Sequence, residues 1–316
     1  MLSALEISRV AVGITMGFTG IYLNAMIVVV NLRDRHHGRH LGSSNLLLSS
    51  IGLNNVFFQT DLVLDSIFFG FHKYIPFSRE IHLRILNLLT CFASCNYWFT
   101  VWLCTYYCLR IVSFPNGVLF LLKMRISTYL RKLLVISALE SCLISVLSTW
   151  NMYLEPLDNP TLNTSSLQVI SIKFPYKVVM MCGTIVPLVL TLIPTGFTLS
   201  SLWRHIMMMK RNMMGSSAAQ TRAHVTAART MVLLLTLHLL LYFASLSIIL
   251  HSFNVNDISQ YFCWFIIFSY STLQALVIIH GNSKLRTSGK LIIRRLRTWN
   301  LMFQGNQTGS GLHDLT

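Results

Sequence analysis

Charged residues are scarce in this chain, and so are the signatures of soluble enzymes. Only 11% of its 316 residues are Asp, Glu, Lys or Arg, whereas roughly a quarter are charged in a typical soluble domain. We find no phosphate-binding loop, no zinc-ligand spacing and no nucleophile elbow. The sequence therefore predicts neither enzyme activity nor a bound cofactor or metal.

Linkers and repeats are also lacking. No Pro-, Gly- or Ser-rich stretch is long enough to separate two domains. No internal repeat of the kind found in many transporters is present. We therefore expect one membrane domain over residues 1–316.

Cysteine occurs at only seven positions, and each of them lies in an apolar stretch. The loop at 154–176 contains none, so a disulfide that ties this loop to a helix is excluded. Cys91 and Cys95 are spaced one helical turn apart, as are Cys104 and Cys108. We interpret them as small packing residues in preference to metal ligands.

What the chain does contain is seven long apolar stretches. A helix rises about 1.5 Å per residue, so roughly 20 apolar residues cross the ~30 Å hydrocarbon core of a bilayer. The pattern predicts an all-α bundle of seven transmembrane helices within 9–281. The predicted spans, each good to about four residues, are 9–31, 44–69, 83–112, 132–153, 177–206, 227–250 and 259–281.

Basic residues are sorted to alternate gaps between these spans. The formal net charge is +15, which in a soluble protein would indicate nucleic-acid binding. Here 19 of the 25 Lys and Arg residues lie on the side that holds the tail at 282–316, and positive charge concentrates on the cytoplasmic side of a membrane. We therefore expect an extracellular N-terminus at 1–8, a cytoplasmic tail, contact with membrane lipid and no nucleic-acid partner.

A glycosylation sequon supports this orientation. Asn163-Thr164-Ser165 fits the acceptor pattern and lies between spans four and five, where the charge pattern independently places the outside. Asn163 is therefore predicted to carry a sugar. The second sequon, at Asn306, falls on the cytoplasmic tail and should remain unmodified.

Polar residues inside a span are costly unless they are paired or hydrated, and they often mark function. Span two contains Asp61 and Asp65, one turn apart near its predicted outer end. Two interpretations remain open. The acids line a watery cavity that receives a polar or cationic ligand, or they pair with groups at helix ends and with outer-leaflet water. Asn24 and Asn55 are predicted to form hydrogen bonds between helices.

Several strings at the predicted inner ends of the helices carry a family resemblance. They occur in order along spans three, five, six and seven and in the loop after span three. The strings are Tyr106–Ile111, Phe120–Ile126, Ser201–His205, Ala223–Met231 and His280–Leu285. In these strings the chain resembles the type 2 taste receptors, the bitter-taste family of G-protein-coupled receptors.

The resemblance implies a multi-pass receptor of the cell membrane that binds small bitter agonists. It implies a heterotrimeric G protein as partner, with an α subunit of the gustducin-like, inhibitory type, and association with further receptor copies is an additional expectation. The tail at 283–299 should form an amphipathic helix in the interface plane. The residues expected at the G-protein surface are Tyr107, Arg110, Trp203, Arg204, His205 and His224. For Trp203, a role as an aromatic anchor at the membrane interface is an equal alternative.

The ligand site should lie among the outer halves of spans two, three, five, six and seven. An aromatic wall is expected from Trp264 and Phe268, and Asp65 is expected to be the counter-charge of cationic agonists. The predicted ligand class is a hydrophobic small molecule, in some cases cationic. The candidate residues are Asp61, Asp65, Leu89, Thr90, Ala93, His238, Tyr242, Trp264 and Phe268.

The chain departs from the family pattern mainly around this site. Asn55 stands where the family usually has Arg, and Gln274 and Ala275 replace His and Ser. Leu89 and Ala93 stand at ligand-contacting Trp and Asn positions, and His238 stands at the aromatic switch position of helix six. These departures indicate a divergent member of the family, from a non-mammalian lineage.

Two other functions are alternatives to that of a bitter-taste receptor. A vomeronasal type 1 pheromone receptor is the nearest alternative, and the strings in helices five and seven favour taste. A membrane carrier could use Asp61, Asp65 and Glu140 as a proton relay, but the repeat typical of carriers is missing.

Overall fold

A computed structural model gives the architecture. It describes residues 4–36, 42–71, 79–112, 117–150, 152–156, 168–172, 174–212, 218–250, 258–291 and 294. Long α-helices account for most of them, and a pair of short strands joins two of the helices. The helices are α1 (Ala4–His36), α2 (Ser43–Phe71), α3 (Arg79–Ile111), α4 (Val118–Trp150), α5 (Phe174–Asn212), α6 (Ala218–Leu250) and α7 (Ile258–Gly281).

The order and number of these long helices agree with the seven predicted stretches, but α4 and α6 begin earlier than predicted: span six was placed at 227–250, and α6 begins at Ala218. Span four was placed at 132–153, and α4 begins at Val118. The cation-rich segment before residue 132 was interpreted as a loop. Instead it is an amphipathic extension of the helix, with Ile126, Leu130 and Leu134 buried one turn apart. The string Phe120–Ile126 therefore lies in α4 and not in a loop.

α3 is the central helix of the bundle. It packs against α2, α4, α5 and α6, whereas α1 packs against α2 and α7. Neighbouring helices in sequence are joined by short connections, except α4 and α5, whose longer connection contains a pair of strands, and the helices run in alternating directions. We call the half of the bundle that contains the start of α1, the end of α2 and the start of α3 the predicted outer half. The opposite half is the predicted inner half.

The polarity of the bundle is the reverse of that of a water-soluble protein. Large apolar side chains cover its outside, such as Val135, Leu139 and Leu143 on α4, which are 59%, 66% and 60% exposed. Amide side chains are fully buried inside, as at Asn55 and Gln59. An apolar exterior of this size requires an apolar solvent, so the protein is a helical membrane protein.

Four of the described helices satisfy a length and apolarity criterion for crossing a membrane. They contain the segments Ile7–Arg33, Lys177–Arg204, Val225–Ile248 and Ser259–Gly281. α2, α3 and α4 have 29, 33 and 33 residues and are therefore long enough, at about 1.5 Å per residue. α2 buries several polar side chains, among them Asn55, Gln59 and Asp61.

A two-stranded antiparallel sheet interrupts the all-helical architecture that was expected. β1 (Met152–Pro156) pairs with β2 (Gln168–Ile172), so that Met152 lies opposite Ile172. The pair lies within the segment that was predicted as an outer loop between α4 and α5. The sequon at Asn163 falls between the strands and outside the described residues.

A further helix follows α7, as predicted. Asn282 separates the two, and its side-chain oxygen accepts hydrogen bonds from the backbone N–H groups of Lys284 (3.0 Å) and Leu285 (3.4 Å). This is an N-cap, which starts a new helix over residues 283–291. Leu285 is fully buried and Leu291 is 53% exposed, so the segment presents one face to the bundle.

All seven cysteines are free thiols, and all lie in helices, as expected. Five of them are buried, while Cys142 and Cys182 are exposed. The sulfur of Cys91 on α3 lies 3.2 Å from that of Cys142 on α4. Among the described residues, no group of three or more His, Cys, Asp or Glu side chains is arranged to hold a metal ion.

Candidate functional site

An apolar cluster with several aromatic rings fills the predicted outer half. We call it the aromatic cluster, and its buried members come from α2, α3, α6 and α7. They are Phe58, Leu62, Tyr97, Leu241, Ala244, Cys263, Trp264, Ile267, Phe268 and Tyr270. Leu89 and Ala93 of α3 pack against it. Four of the predicted ligand residues, Leu89, Ala93, Trp264 and Phe268, therefore meet in one place.

The predicted aromatic wall on α7 is present. The ring centroids of Trp264 and Phe268 are 5.8 Å apart, with 30° between the ring planes. This is the spacing of an attractive aromatic pair. Both side chains are buried, so in this structure the wall faces other side chains.

Asp65 has a partner within the chain that sequence reasoning missed. A terminal guanidinium nitrogen of Arg9 on α1 lies 3.3 Å from Oδ2 of Asp65 and donates a hydrogen bond to it. The guanidinium carbon of Arg9 lies 4.4 Å from the centre of the Trp264 ring. Arg9 thus joins α1 to α2 and α7. This arrangement favours the interpretation in which the acid pairs with a helix-end group, because Arg9 already occupies the carboxylate.

Asp61 lies one turn further into the bundle than Asp65 and is equally buried, at 3% exposure. Its Oδ2 atom has no hydrogen-bond partner among the described residues. A buried carboxylate oxygen without a partner is costly, so this atom is available to a hydrogen-bond donor. Of the two acids that the sequence singled out, Asp61 is the one whose side chain is incompletely satisfied.

His238 on α6 lies between two tyrosines. Its ring centroid is 5.2 Å from that of Tyr97 on α3 and 6.0 Å from that of Tyr270 on α7. The side chain is 1% exposed, and neither ring nitrogen completes a hydrogen bond among the described residues. Sequence reasoning found His238 but missed both tyrosines. Tyr97 follows Ala93 by one turn, and this spacing was the signal that could have found it.

The two remaining ligand candidates lie at the edge of this region. Thr90 is half-buried, and its hydroxyl donates to the carbonyl of Leu86 in its own helix at 2.8 Å. Tyr242 is also half-buried and contacts Phe243 edge to face, with ring centroids 5.4 Å apart. Neither of these two contacts extends to another helix.

A network of amide side chains lies on the inner side of the aromatic cluster and joins four helices. The Nδ2 atom of Asn55 donates to Oδ1 of Asn24 at 2.9 Å and to Oε1 of Gln274 at 2.8 Å. The Nε2 atom of Gln274 in turn donates to the hydroxyls of Thr100 at 3.0 Å and Tyr270 at 3.1 Å. The predicted hydrogen bonds of Asn24 and Asn55 between helices are thus confirmed. The structure also shows that Asn55 and Gln274, two of the departures from the family pattern, are partners.

The predicted inner end of α3 is built from local contacts. A guanidinium nitrogen of Arg110 donates to the hydroxyl of Tyr106 at 2.7 Å, and its guanidinium carbon lies 5.9 Å from the centre of that ring. Arg110 is exposed, and Tyr107 is half-buried. The ammonium of Lys123 on α4 donates to the carbonyl of Val112 at 3.1 Å, so a cation binds the C-terminal end of α3.

The other candidates for the G-protein surface lie on α5 and α6. Trp203 is 67% exposed, and Arg204 is exposed as well. His205 and His224 lie within α5 and α6, and their side chains fall outside the part of the chain that the structure describes. The structure therefore describes the side chains of only four residues of the predicted surface, which are Tyr107, Arg110, Trp203 and Arg204.

α6 and the end of α7 approach each other closely at Gly281. A Cβ atom added to Gly281 would overlap the side chain of Thr230 on α6. Only glycine fits such a close approach without displacement of the neighbouring helix. Gly281 directly precedes the cap residue Asn282, so the close approach lies at the junction of α7 and the next helix.

Comparison with known proteins decides the family. The sequence profile of the taste receptor protein (TAS2R) family matches residues 1–297 of the chain. The chain belongs to this taste receptor family. It is therefore a receptor and not an enzyme, and the predicted resemblance is confirmed.

Individual relatives cover nearly the whole chain at low identity. Human taste receptor type 2 member 4 is 28% identical over 301 residues, which are 93% of this chain and 99% of that protein. Taste receptor type 2 member 1 of Chlorocebus aethiops is 27% identical over 290 residues, covering 86% of this chain and 90% of that protein. Human taste receptor type 2 member 2 is 26% identical over 283 residues, covering 87% and 92%.

Membership in the taste receptor family supports a bitter-taste receptor function and implies coupling to a G protein. It does not favour the pheromone receptor or the carrier that were weighed as alternatives. The low identities agree with a divergent member, and the non-mammalian lineage stays a prediction. The roles of individual ligand and coupling residues also stay predictions.

Proposed function

We propose that this chain is a bitter-taste receptor of the cell membrane that crosses the bilayer seven times with its N-terminus outside. Small, mostly hydrophobic molecules bind among the helices of the predicted outer half. The predicted inner end then activates a heterotrimeric G protein with an α subunit of the gustducin-like, inhibitory type. The family match over residues 1–297 is the observation that carries the proposal.

Convergence of the predicted ligand residues supports the location of the site. Leu89 and Ala93 of α3 pack on the same cluster as Trp264 and Phe268 of α7. These elements are far apart in the sequence, so their meeting is a property of the fold. Leu89 and Ala93 stand where bulkier polar groups are usual in the family, and the resulting wall is apolar. Such a wall suits hydrophobic agonists.

Tyr270 supports a route from this site to the centre of the bundle. On one side its ring lies 6.0 Å from that of His238, and on the other its hydroxyl accepts a hydrogen bond from Gln274 at 3.1 Å. An agonist that repacks the aromatic cluster therefore acts on the amide network that joins α1, α2, α3 and α7. Physical contact between the aromatic cluster and the amide network permits coupling between them but does not by itself produce it. The agonist must also bind one helix packing more tightly than the other.

The predicted inner end supplies the surface that would become exposed when the agonist-bound arrangement of the helices forms. Arg110, Trp203 and Arg204 are exposed there. A groove between α3, α5 and α6 would receive an amphipathic helix of the G protein by its apolar face. Tyr107 and Arg110 form its floor in this proposal, and Trp203, Arg204, His205 and His224 form its walls.

The proposal is tested with an agonist screen in cells that express the chain together with a promiscuous G protein. Agonist-evoked calcium release that is absent from cells without the chain is the expected result. Co-expression of single α subunits then identifies the coupling type, with the inhibitory type expected to give the largest response. Uptake of a compound without calcium release would contradict the receptor function and support a carrier.

Asp61 is the proposed polar contact of agonists that carry a hydrogen-bond donor or a positive charge. Asp61→Asn keeps the shape of the side chain and removes its charge, so the potency of these agonists should fall about tenfold, which corresponds to about 1.4 kcal/mol. Agonists without a donor should change less than about twofold. Calcium dose–response curves on the same cells measure both groups.

Surface expression of Asp61→Asn is the control for folding in this experiment. A loss of potency of equal size for both groups of agonists would contradict the role of Asp61. Asp65→Asn serves as the comparison variant, because it leaves the Arg9 guanidinium without its carboxylate. Its effect is therefore expected to include all agonists.

A further inference from the structure

We propose that Asp65 and Trp264 form a binding site for an organic cation and that the guanidinium of Arg9 fills this site within the receptor itself. Arg9 is then a specificity-determining residue, which denies the site to small guanidinium and ammonium compounds. The inference rests on the proposed function only in that it states which agonists the pocket admits.

The geometry around Arg9 is that of a bound ligand. One side of the guanidinium meets Oδ2 of Asp65 at 3.3 Å, and the face of the Trp264 ring lies 4.4 Å from its central carbon. A carboxylate together with an aromatic face is the combination that recognises organic cations. Both groups come from other helices than Arg9, so the site exists independently of the segment that fills it.

Burial distinguishes this pair from an ordinary surface ion pair. The side chains of Arg9 and Asp65 are 11% and 5% exposed, whereas those of Arg84 and Glu80, at the same end of the bundle, are 81% and 82% exposed. The Arg84–Glu80 pair is also longer, at 3.9 Å, and such exposed pairs contribute little. Removal of one partner of a buried pair leaves an uncompensated charge and is strongly destabilising.

The chain connection makes Arg9 a strong competitor. A tethered group acts at an effective concentration of the order of millimolar or more, so a free amine must exceed that level to displace it. The site therefore excludes soluble cations in the native receptor. Uncharged molecules, which do not compete for Asp65, are not affected, and this agrees with the proposed preference for hydrophobic agonists.

Chemical rescue tests the inference on the purified, full-length receptor. Arg9→Ala empties the site, and methylguanidinium chloride is the probe, with sodium chloride at equal ionic strength as the reference. We expect Arg9→Ala to lower the temperature of unfolding and methylguanidinium at millimolar concentration to restore several degrees of it. The native receptor and the Arg84→Ala control should show no such shift.

The double variant Arg9→Ala/Asp65→Asn identifies where the probe binds. It removes both charges, so it should unfold at a higher temperature than Arg9→Ala and should not respond to methylguanidinium. If Arg9→Ala does not fold at all, recovery of folded protein in the double variant, or during expression with methylguanidinium present, supports the same conclusion. If the double variant is also not recovered, or if methylguanidinium shifts all variants equally, the inference is overturned.

The readout separates this inference from the proposed function. Thermal stability is measured without agonist and without G protein, so the cation site can fail while the receptor still signals. Conversely, the rescue can succeed even if no agonist has been found. An unchanged unfolding temperature of Arg9→Ala would contradict the cation site alone.

Discussion

The two ends of the bundle are held together by different kinds of contact. In the predicted outer half, side chains pair across the bundle, as Arg9 does with Asp65 and with Trp264. At the end of α3 in the predicted inner half, Arg110 bonds Tyr106 one turn away in the same helix, and Lys123 bonds a backbone carbonyl, that of Val112. Gly281 in turn lets α7 approach α6.

This difference explains why the inner end was recognisable in the sequence and the outer end was not. Residues that form local contacts lie close together in the chain. They therefore form short continuous motifs, such as Tyr106–Ile111 and His280–Leu285, which can be compared directly with a family pattern. Pairs across the bundle can change together. Asn55 and Gln274 illustrate this, because both depart from the family pattern and they donate and accept the same hydrogen bond. A pair that spans the bundle can therefore depart from the family pattern at both of its positions and still keep its hydrogen bond.

The largest effect is expected where the inner end depends on backbone approach. Gly281→Val places atoms in the position of the Thr230 side chain, so overpacking should cost about 1 to 3 kcal/mol and reduce both stability and signalling. Thermal unfolding of the purified receptor measures the cost. Gly196→Val is the matched control, because a Cβ atom there meets nothing within 4 Å. Equal losses for the two variants would show that the close approach at Gly281 does not exist.

An effect of similar size on stability is expected at the amide network between the two ends. Asn55→Ala and Gln274→Ala each leave a buried amide without its partner, at a cost of about 1 to 3 kcal/mol. In the double variant the two costs should not add, with a coupling energy of about 0.6 and at most about 1.7 kcal/mol for a hydrogen bond in a membrane. Unfolding measurements on the four proteins of this cycle give the value. Strict additivity would contradict the contact.

The smallest effect on stability is expected at the exposed inner surface. Trp203 is 67% exposed, so Trp203→Ala should change the free energy of unfolding by less than about 0.5 kcal/mol. If Trp203 contacts the G protein, nucleotide exchange should nevertheless fall severalfold while agonist binding stays the same. Leu199→Ala, at a 42% exposed site one turn away, is the control. Unchanged exchange in Trp203→Ala would favour the alternative role as a membrane anchor.

The sequence predicted most helices well because hydrophobic length alone defines them. The start of α4, which was missed by the widest margin, is instructive. Lys123, Arg125 and Arg131 suggested a loop, yet Ile126 and Leu130 are buried one turn apart, which is the signature of an amphipathic helix. The helical period was present in the sequence, and charge outweighed it in the interpretation.

The candidate site was predicted only as a set of residues. The meeting of Leu89, Trp264 and Phe268 could be anticipated because the resemblance placed them on facing helices. The partner of Asp65 could not, since Arg9 lies 56 positions away in the chain and nothing in the periodicity of α1 selects an acid on α2. The roles of Tyr97 and Tyr270 depend on their contacts with His238, which only the fold determines.

Agonist-dependent nucleotide exchange is the most direct test of a receptor with a ligand end and a coupling end. The purified chain would be placed in lipid nanodiscs with an inhibitory-type G protein and an agonist from the calcium screen. Agonist should accelerate nucleotide exchange, and Gly281→Val should greatly reduce this acceleration. Agonist binding without any acceleration of exchange in the native chain would contradict this prediction.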